Sequence, residues 1–234
     1  MTRLHRLTRR SRQGDAGLTL VELLVATTLS LLVLTMVTSF LISAQRAAAT
    51  AGSVSENTRV AANAMNEIGR TLRAATDNPV STGDVPQYAF QYASPTSVRF
   101  FAYVNLESTL SKAVEVQLTL DPTTRSVTET RWAGTQLSPT SAYYAFPLAT
   151  GAVLSAAPTS SRSLATTAVN TTLFTFKDAG GNTLGNPGAP LSAADLPNVR
   201  AVTVTVVVGK SVTDPNAVTL TNTVGLANIV MGAS

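Results

Sequence analysis

The chain of 234 residues is 44% hydrophobic and only 13% charged, about half the charged share of ~25% in an average soluble protein. It contains no cysteine and a single histidine, His5, which excludes disulfides, thiolate metal sites and cysteine nucleophiles. If the N-terminal segment is removed, the mature chain has no histidine for general acid–base catalysis or for binding zinc.

The basic character of the chain is confined to its N-terminus. Residues 1–17 account for the whole net charge of +4, because the rest of the chain carries 12 basic and 12 acidic side chains. Within this segment one acidic residue, Asp15, accompanies five arginines: Arg3, Arg6, Arg9, Arg10 and Arg12. The neutral remainder shows no basic cluster, so no nucleic-acid binding is evident.

An uncharged apolar segment of 22 residues follows, at positions 23–44. Roughly 20 apolar residues are enough to span a bilayer as a helix, so we predict a transmembrane segment here. The arginines before it would stay in the cytoplasm by the positive-inside rule. This predicts a single-pass protein of the inner membrane, with the rest of the chain outside the cytoplasm.

Three ordinary explanations of this segment compete. A secretory signal peptide cleaved near residues 47–51 would have an apolar core of about 7–15 residues, shorter than this one. A twin-arginine signal would use Arg9 and Arg10, but the apolar residues that flank such a pair are missing. An uncleaved anchor fits the length and leaves Gly17 and Glu22 unexplained.

Two residues at the start of the segment carry a more specific signal. In GDAGLTLVELLVA, Gly17 comes directly before the apolar run and Glu22 lies just inside it. A carboxylate in a membrane helix costs about 2.5–3.5 kcal/mol at the helix centre and less near its end, so it normally has a function and a partner. The run GLTLVELLVA resembles the type IV prepilin signature, with Leu18 where that family most often has phenylalanine.

This resemblance implies a processing site and an assembly residue. A prepilin peptidase would cut between Gly17 and Leu18, remove the leader 1–17 and methylate the new amine of Leu18. Glu22, then the fifth residue, would pair with the amine of a neighbouring subunit in a filament. The implied partners are the prepilin peptidase, other pilin or pseudopilin subunits, the assembly platform membrane protein and the membrane.

Helical periodicity continues beyond the membrane segment. Met65, Ile68 and Leu72 follow one another at steps of three and four residues, which is typical of an amphipathic helix. We predict one long helix over 18–78, because Pro79 disfavours helical backbone at the residue before it. Met65, Ile68 and Leu72 are expected to pack this helix on a globular region.

The globular region, 79–234, has the short alternating runs of a β-rich fold. Strands are predicted at residues 88–92, 97–104, 114–120, 125–132, 172–177, 199–208 and 218–224. Two segments, at about 134–163 and 180–197, are rich in small and turn-forming residues and are predicted to be long surface loops. The predicted fold class is α+β, with a long N-terminal helix packed on an antiparallel sheet.

The order of these elements resembles the J-type minor pseudopilins and the minor pilins called PilW. The runs LFTFKDAGGNTL, NVRAVTVTVVV and VTLTNTVGL carry this resemblance, although Ala227 stands where the family has arginine. It implies a pilin-like fold and a minor subunit of a type IV pilus, a type II secretion pseudopilus or a DNA-uptake pilus. Such a subunit is expected to act in filament assembly or initiation near the filament tip and to reach the cell surface with the filament.

Motifs for catalysis or cofactor binding are missing from the sequence. It contains no phosphate-binding loop, and its aspartates are dispersed beside turn-forming residues. We therefore expect no cofactor, no metal site and no enzymatic activity, while a calcium site shared by two loops stays open. The alternative function is a membrane-anchored or secreted adhesin, which exposed aromatic or charged clusters on the two long loops would favour.

Overall fold

A computed structural model of the chain describes residues 18–81, 86–104, 112–139, 141 and 143–229. The predicted leader, with Gly17, lies outside these residues. The chain divides into two compact units, Met1–Ala49 and Thr50–Ser234, and the long helix α1 (Leu20–Arg73) contributes residues to both. The second unit is called the head below.

Helix α1 ends earlier than the predicted end at 78. The N–H of Ala75 bonds to a carbonyl three residues back at 3.0 Å, which tightens the last turn. Thr76 then donates its N–H to the carbonyl of Phe101, also at 3.0 Å. The chain therefore leaves the helix because its backbone joins a sheet, before Pro79 can act as a helix breaker.

Most of the predicted strands belong to one sheet. Its strands are β1 (Phe90–Ala93), β2 (Ser97–Val104), β3 (Lys112–Asp121), β4 (Ser126–Ala133) and β7 (Ser160–Ala165). Between β4 and β7 along the chain come two short strands, β5 (Thr135–Gln136) and β6 (Tyr144–Ala145), which pair only with each other. The five longer strands are antiparallel and lie in the order β1-β2-β3-β4-β7.

A second antiparallel sheet is formed by the C-terminal part of the chain. It comprises β8 (Phe174–Lys177), β9 (Ala201–Val208) and β10 (Val218–Gly225), in the order β10-β9-β8. A 3₁₀ turn at Leu196–Asn198 precedes β9. Each strand predicted from the sequence thus has a counterpart, and β2 has the predicted bounds.

One apolar core joins the two sheets to the last part of α1. Alternate residues of β9 face this core, as the two-residue period of a strand requires, and they are buried: Val202, Val204, Val206 and Val208. Phe100 of β2 and Leu118 of β3 belong to the same core. The architecture is α+β, with one long N-terminal helix and antiparallel sheets, as the sequence predicts.

The segment 134–163 differs from the long surface loop predicted for it, because it contains β5, β6 and the start of β7. The sequence of β7, SSRSLA, lacks the β-branched and aromatic residues that mark a strand. It is a strand because it pairs with β4, from Ser160 opposite Arg131 to Ala165 opposite Val127. The second predicted loop, 180–197, contains no strand.

Candidate assembly site

The described chain begins at Leu18, next to the predicted cleavage point, and Thr19 caps the helix. The Thr19 hydroxyl accepts a hydrogen bond from the N–H of Glu22 at 3.2 Å, and the Thr19 carbonyl accepts one from the N–H of Leu23 at 3.1 Å. The spacing Thr-x-x-Glu is that of a capping box, in which both residues stabilise a helix start. Sequence analysis missed the cap that Thr19 forms with the N–H of Glu22, although the spacing could have shown it.

Leu18 and Glu22 are both exposed, Leu18 to 71%. They are four residues apart, the spacing at which two side chains share a helix face. A carboxylate in the first turn also interacts favourably with the positive end of the helix dipole. An amine at residue 18 and the Glu22 carboxylate would therefore both be open to a partner.

The part of α1 up to residue 49 exposes every side chain. Its most apolar stretch of 18 residues has a mean hydropathy of 2.3, and none of it is buried. By length and composition, α1 is the one candidate membrane-spanning helix in the part of the chain that the structure describes. An apolar helix surface of this size needs a partner other than water.

The hydroxyl side chains of the apolar segment bond within the helix. Each donates to a carbonyl three or four residues back, at 2.7–3.0 Å: Thr27, Thr28, Ser30, Thr35, Thr38, Ser39 and Ser43. A hydroxyl that is satisfied in this way needs no water. The polar residues of the segment are thus compatible with an apolar environment.

The last part of α1 is built into the head. Met65, Ile68 and Leu72, the residues predicted to pack the helix on a sheet, are 7%, 0% and 0% exposed and belong to the core. Ala61 and Ala64 lie on the same buried face. The helix therefore changes from fully exposed to half-buried along its length, without a break.

Charged side chains tie α1 to β4 and β7, and we call this group the helix–sheet ion cluster. Glu129 on β4 is 1% exposed and accepts two hydrogen bonds from Arg162 on β7, both at 3.0 Å, and one from Arg131 at 2.6 Å. Thr71 of α1 donates its hydroxyl to the same carboxylate at 3.2 Å. Arg162 also pairs with Glu67 of α1.

The arginines keep both carboxylates of this cluster ionised. Burial alone would raise the pKa of Glu129, but hydrogen bonds from Arg162 and Arg131 outweigh it, and this pKa lies below its usual value. The hydrogen bond from Arg70 is the main reason why the pKa of Glu67 falls to about 2. A displaced helix would break the hydrogen bond from Thr71 to Glu129 and the ion pair of Arg162 with Glu67, so the cluster helps to hold α1 in position on the sheet.

Sequence analysis did not find this cluster. The alternation of Val127 with polar residues predicted a strand at 125–132 without indicating which of its faces is buried. In the structure, Val127, Glu129 and Arg131 share the buried face of β4. A charged residue at an alternate position does not reveal which face is buried, and its partners Glu67 and Arg162 come from distant parts of the sequence.

The face of the five-stranded sheet that points away from α1 is covered by residues 144–156, the covering segment. Side chains on three successive strands donate hydrogen bonds to its carbonyls: Arg99 to Gly151 at 3.0 Å, Gln117 to Ala152 at 2.9 Å and Trp132 to Ala156 at 2.9 Å. Most of the predicted loop 134–163 is therefore attached to the sheet by specific contacts.

A fully buried ion pair lies under the covering segment. The Nε of Arg99 is 3.0 Å from Oε1 of Glu115, and both side chains are 0% exposed. The two groups are not aligned for a hydrogen bond, and among the described residues neither oxygen of Glu115 has a hydrogen-bond partner. Burial raises the pKa of Glu115 to about 7, against the attraction of Arg99.

The described residues offer little that resembles a ligand or metal site. A cavity of about 230 Å³ lies beside β8, between Phe174, Phe176 and the turn at 183–191, and no charged side chain lines it. Within the described ranges, no three His, Asp or Glu side chains are grouped to bind a metal ion. The features with the clearest chemistry are therefore the start of α1 and its attachment to the head.

Comparison with known proteins adds no assignment. A scan against protein-family models gives no match to this chain, and a search of curated proteins gives none either.

Proposed function

We propose that this chain is a minor pilin-like subunit of a type IV filament system: a pilus, a type II secretion pseudopilus or a DNA-uptake pilus. The observation that carries this proposal is the run GLTLVE at 17–22, at the very start of a 54-residue helix. The first part of that helix is apolar and exposed, and its last part belongs to the core of the head. A helix with these two parts suits a subunit whose head stays outside the cytoplasm while its apolar segment moves from the membrane into a filament.

Cleavage after Gly17 would change the physical state of the subunit. The leader holds five arginines and one aspartate, which keep it on the cytoplasmic side of the membrane. Its removal takes away this charged anchor and creates an amine at Leu18, four residues from Glu22. The subunit can then leave the membrane, because its apolar helix has a new apolar environment among neighbouring helices.

Glu22 would set the register of assembly by pairing with the amine of a neighbour. In an apolar bundle of helices, an offset along the filament axis would leave two buried charges unpaired, which is strongly unfavourable. The large head is most easily accommodated near the filament tip, together with other minor subunits. The proposed work of the chain is therefore assembly or initiation, without catalysis.

Processing is tested by substitution at Gly17. The full chain is expressed with and without a prepilin peptidase, and its size is followed on gels. The wild type should shorten only when the peptidase is present, and Gly17→Leu should remain as the 234-residue precursor in the membrane. Gly14→Leu, in the same leader, is the matched control and should be processed. Equal processing of the Gly17 and Gly14 variants would contradict the proposal.

An adhesive or binding head on the same export segment is the alternative function. Large exposed apolar residues on the segment 134–163 are mostly aliphatic, Leu137, Leu148 and Val153, with Tyr143 the aromatic one. Isolated apolar residues of this kind are common on protein surfaces. They do not favour an adhesin over a filament subunit.

A further inference from the structure

The C-terminal strand β10 is a sheet edge without the usual protection. Its eight residues contain no charge and no proline, and its register with β9 is continuous from Val218 to Gly225, without a bulge. Natural proteins normally protect such edges with charges, prolines, bulges or covering segments, because an open edge pairs with other strands.

The hydrogen-bonding pattern shows which residues of β10 point outward. Leu226 donates its N–H to the carbonyl of Arg200, in the register of the β9–β10 pair. In antiparallel strands the bonded residues alternate, so even-numbered residues of β10 bond to β9. The backbone groups of Thr219, Thr221 and Thr223 therefore point away from the sheet, and their side chains are exposed.

Two other edges of the head are covered. Beside β8, Leu184 donates its N–H to the carbonyl of Phe176 at 2.9 Å, and Phe174 donates to the carbonyl of Pro95 at 3.0 Å. The four-residue strand β1 has a register shift, and the N–H of Leu191 bonds to its last carbonyl at 2.8 Å. These contacts leave β10 and β7 as the open edges among the longer strands that the structure describes.

The edge strand β7 suits β10 in chemistry. Ser160, Ser161 and Ser163 are exposed, and their small hydroxyl side chains resemble the threonines of β10. The one charge on β7 is Arg162, which is already paired with Glu67 and Glu129. Pairing of β7 with β10 would therefore place no unpaired charge next to β10.

The two edges lie on opposite sides of α1. Glu67 contacts Arg162 of β7, whereas Gly69 faces Val224 of β10, whose Cγ2 would lie 3.9 Å from a Cβ placed on Gly69. Two residues turn an α-helix by about 200°, so these contacts are on opposite flanks. A neighbouring copy placed beside the head therefore presents β7 to the β10 edge.

The two strands also run in opposite directions. Asn57 of α1 bonds to Asn216 just before β10, and Arg73 bonds to Asn228 just after it, so β10 runs with α1. On β7, Arg162 contacts Glu67, near the end of α1. After β7 the chain reaches Ala168, which pairs with Val208, the residue opposite the first residue of β10. The strand β7 therefore runs against the direction of α1. Copies with the same orientation would thus bring β10 and β7 together as antiparallel strands.

We propose that the β10 edge of one copy pairs, antiparallel, with the β7 edge of a neighbouring copy. The contact is heterologous, since different surfaces meet, and it repeats in one direction without reversing the copies. All copies keep their N-terminal helices pointing the same way. The pairing needs only the head, so it does not depend on cleavage after Gly17.

The absence of cysteine makes disulfide trapping a clean test. Two differently tagged full chains, one with Thr221→Cys and the other with Ser161→Cys or Ser163→Cys, are expressed in the same membrane and mildly oxidised. Opposite residues of antiparallel strands lie about 5.5 Å apart, within the range for a disulfide. We expect a mixed dimer, with about ten-fold less product from either chain alone, because a disulfide needs this proximity.

Matched variants separate edge pairing from random collision. Thr205→Cys, on the central strand β9, should give no mixed dimer. Thr223→Pro removes an outward N–H from β10 and should abolish trapping at Thr221, and Thr223→Lys should do the same without altering the backbone. As much dimer of Thr221→Cys with itself as of the mixed pair, or no adduct with either serine variant, would overturn the proposed pairing.

Discussion

At the scale of single residues, Glu22 combines a local role with the one proposed for assembly. The N–H of Glu22 donates a hydrogen bond to the hydroxyl of Thr19 at the start of α1. The carboxylate of Glu22 lies in the first turn, where the helix dipole favours negative charge. A capping role requires a side-chain acceptor, which glutamine also supplies. Pairing with a neighbour's amine requires the charge, which glutamine lacks; glutamine also loses the interaction with the helix dipole, which contributes only about 0.3–1 kcal/mol.

Two substitutions distinguish these roles. Glu22→Ala and Glu22→Gln should both be cleaved and stably inserted, since loss of the charge eases residence in the membrane. Both should fail to enter filaments, measured as the share of the subunit in sheared filament preparations. If Glu22→Gln assembles like the wild type while Glu22→Ala does not, the residue acts as a helix cap and the pairing role is wrong.

Glu115 predicts an unusual dependence of head stability on pH. Its pKa is about 7 in the folded head, above the unfolded value of about 4.3, so the folded state binds the proton more tightly. This contribution to stability is fully present below about pH 4 and is lost as the pH rises through 7. Arg99 lies beside the carboxylate and lowers this pKa, but burial dominates the shift.

Replacing this carboxylate should remove the dependence. In urea melts of the soluble head, Glu115→Gln should gain about 1–3 kcal/mol relative to the wild type between pH 5 and pH 8. Glu56→Gln is the control, because Glu56 is exposed and its pKa lies below the usual value owing to Arg59. An unchanged difference between wild type and Glu115→Gln at the two pH values would show that Glu115 is not neutralised by burial.

At the scale of elements, α1 is held to the head by its apolar face and by the helix–sheet ion cluster. Leu72 belongs to the apolar face, and its neighbour Thr71 belongs to the helix–sheet ion cluster. Arg73, the next residue, has an exposed side chain. Three consecutive residues therefore differ in what they contribute to the free energy of unfolding.

This difference can be measured on a soluble head that starts near residue 54, which we expect to fold without the apolar segment. Leu72→Ala should lower the free energy of unfolding by about 2–5 kcal/mol, because it leaves a cavity in the core. Arg73→Ala, its neighbour, should change it by no more than about 0.5 kcal/mol. Small, equal effects in denaturant melts would mean that the helix is not packed on the sheets in solution.

Local patterns were sufficient to predict some elements and not others. The bounds of β2 and the valine-rich run of β9 follow from their strong β-formers, and β9 also alternates with one buried face. The end of α1 and the strand β7 were not predicted, since pairing with Phe101 and with β4 determines them. Such pairings join residues far apart in sequence, which no local pattern records.

The same limit applies to the candidate site. The spacing of Gly17, Leu18 and Glu22 and the buried face with Leu72 are visible in the sequence. The pair formed by Arg99 and Glu115 is not, because each residue occupies a position where a polar side chain usually faces water. Only the covering segment, whose attachment is tertiary, makes that face an interior one.

At the scale of the whole molecule, the single helix α1 has an exposed apolar part and a last part that belongs to the core of the head. Its exposed apolar part has its hydroxyls satisfied internally, and its last part is fixed in the head by buried side chains and paired charges. Under the proposed function, the subunit would exchange a lipid environment for a protein one without refolding its head. The account therefore depends most on whether the N-terminus is processed to release the helix.

The mass and N-terminal sequence of the full protein, purified from cells that contain a prepilin peptidase, test this claim most directly. We predict a chain that begins at Leu18 and carries one added methyl group on its amine. A chain that begins near Gly52 would identify a substrate of signal peptidase, and an intact N-terminus at Met1 would identify a plain anchor. Either result would contradict the proposed function.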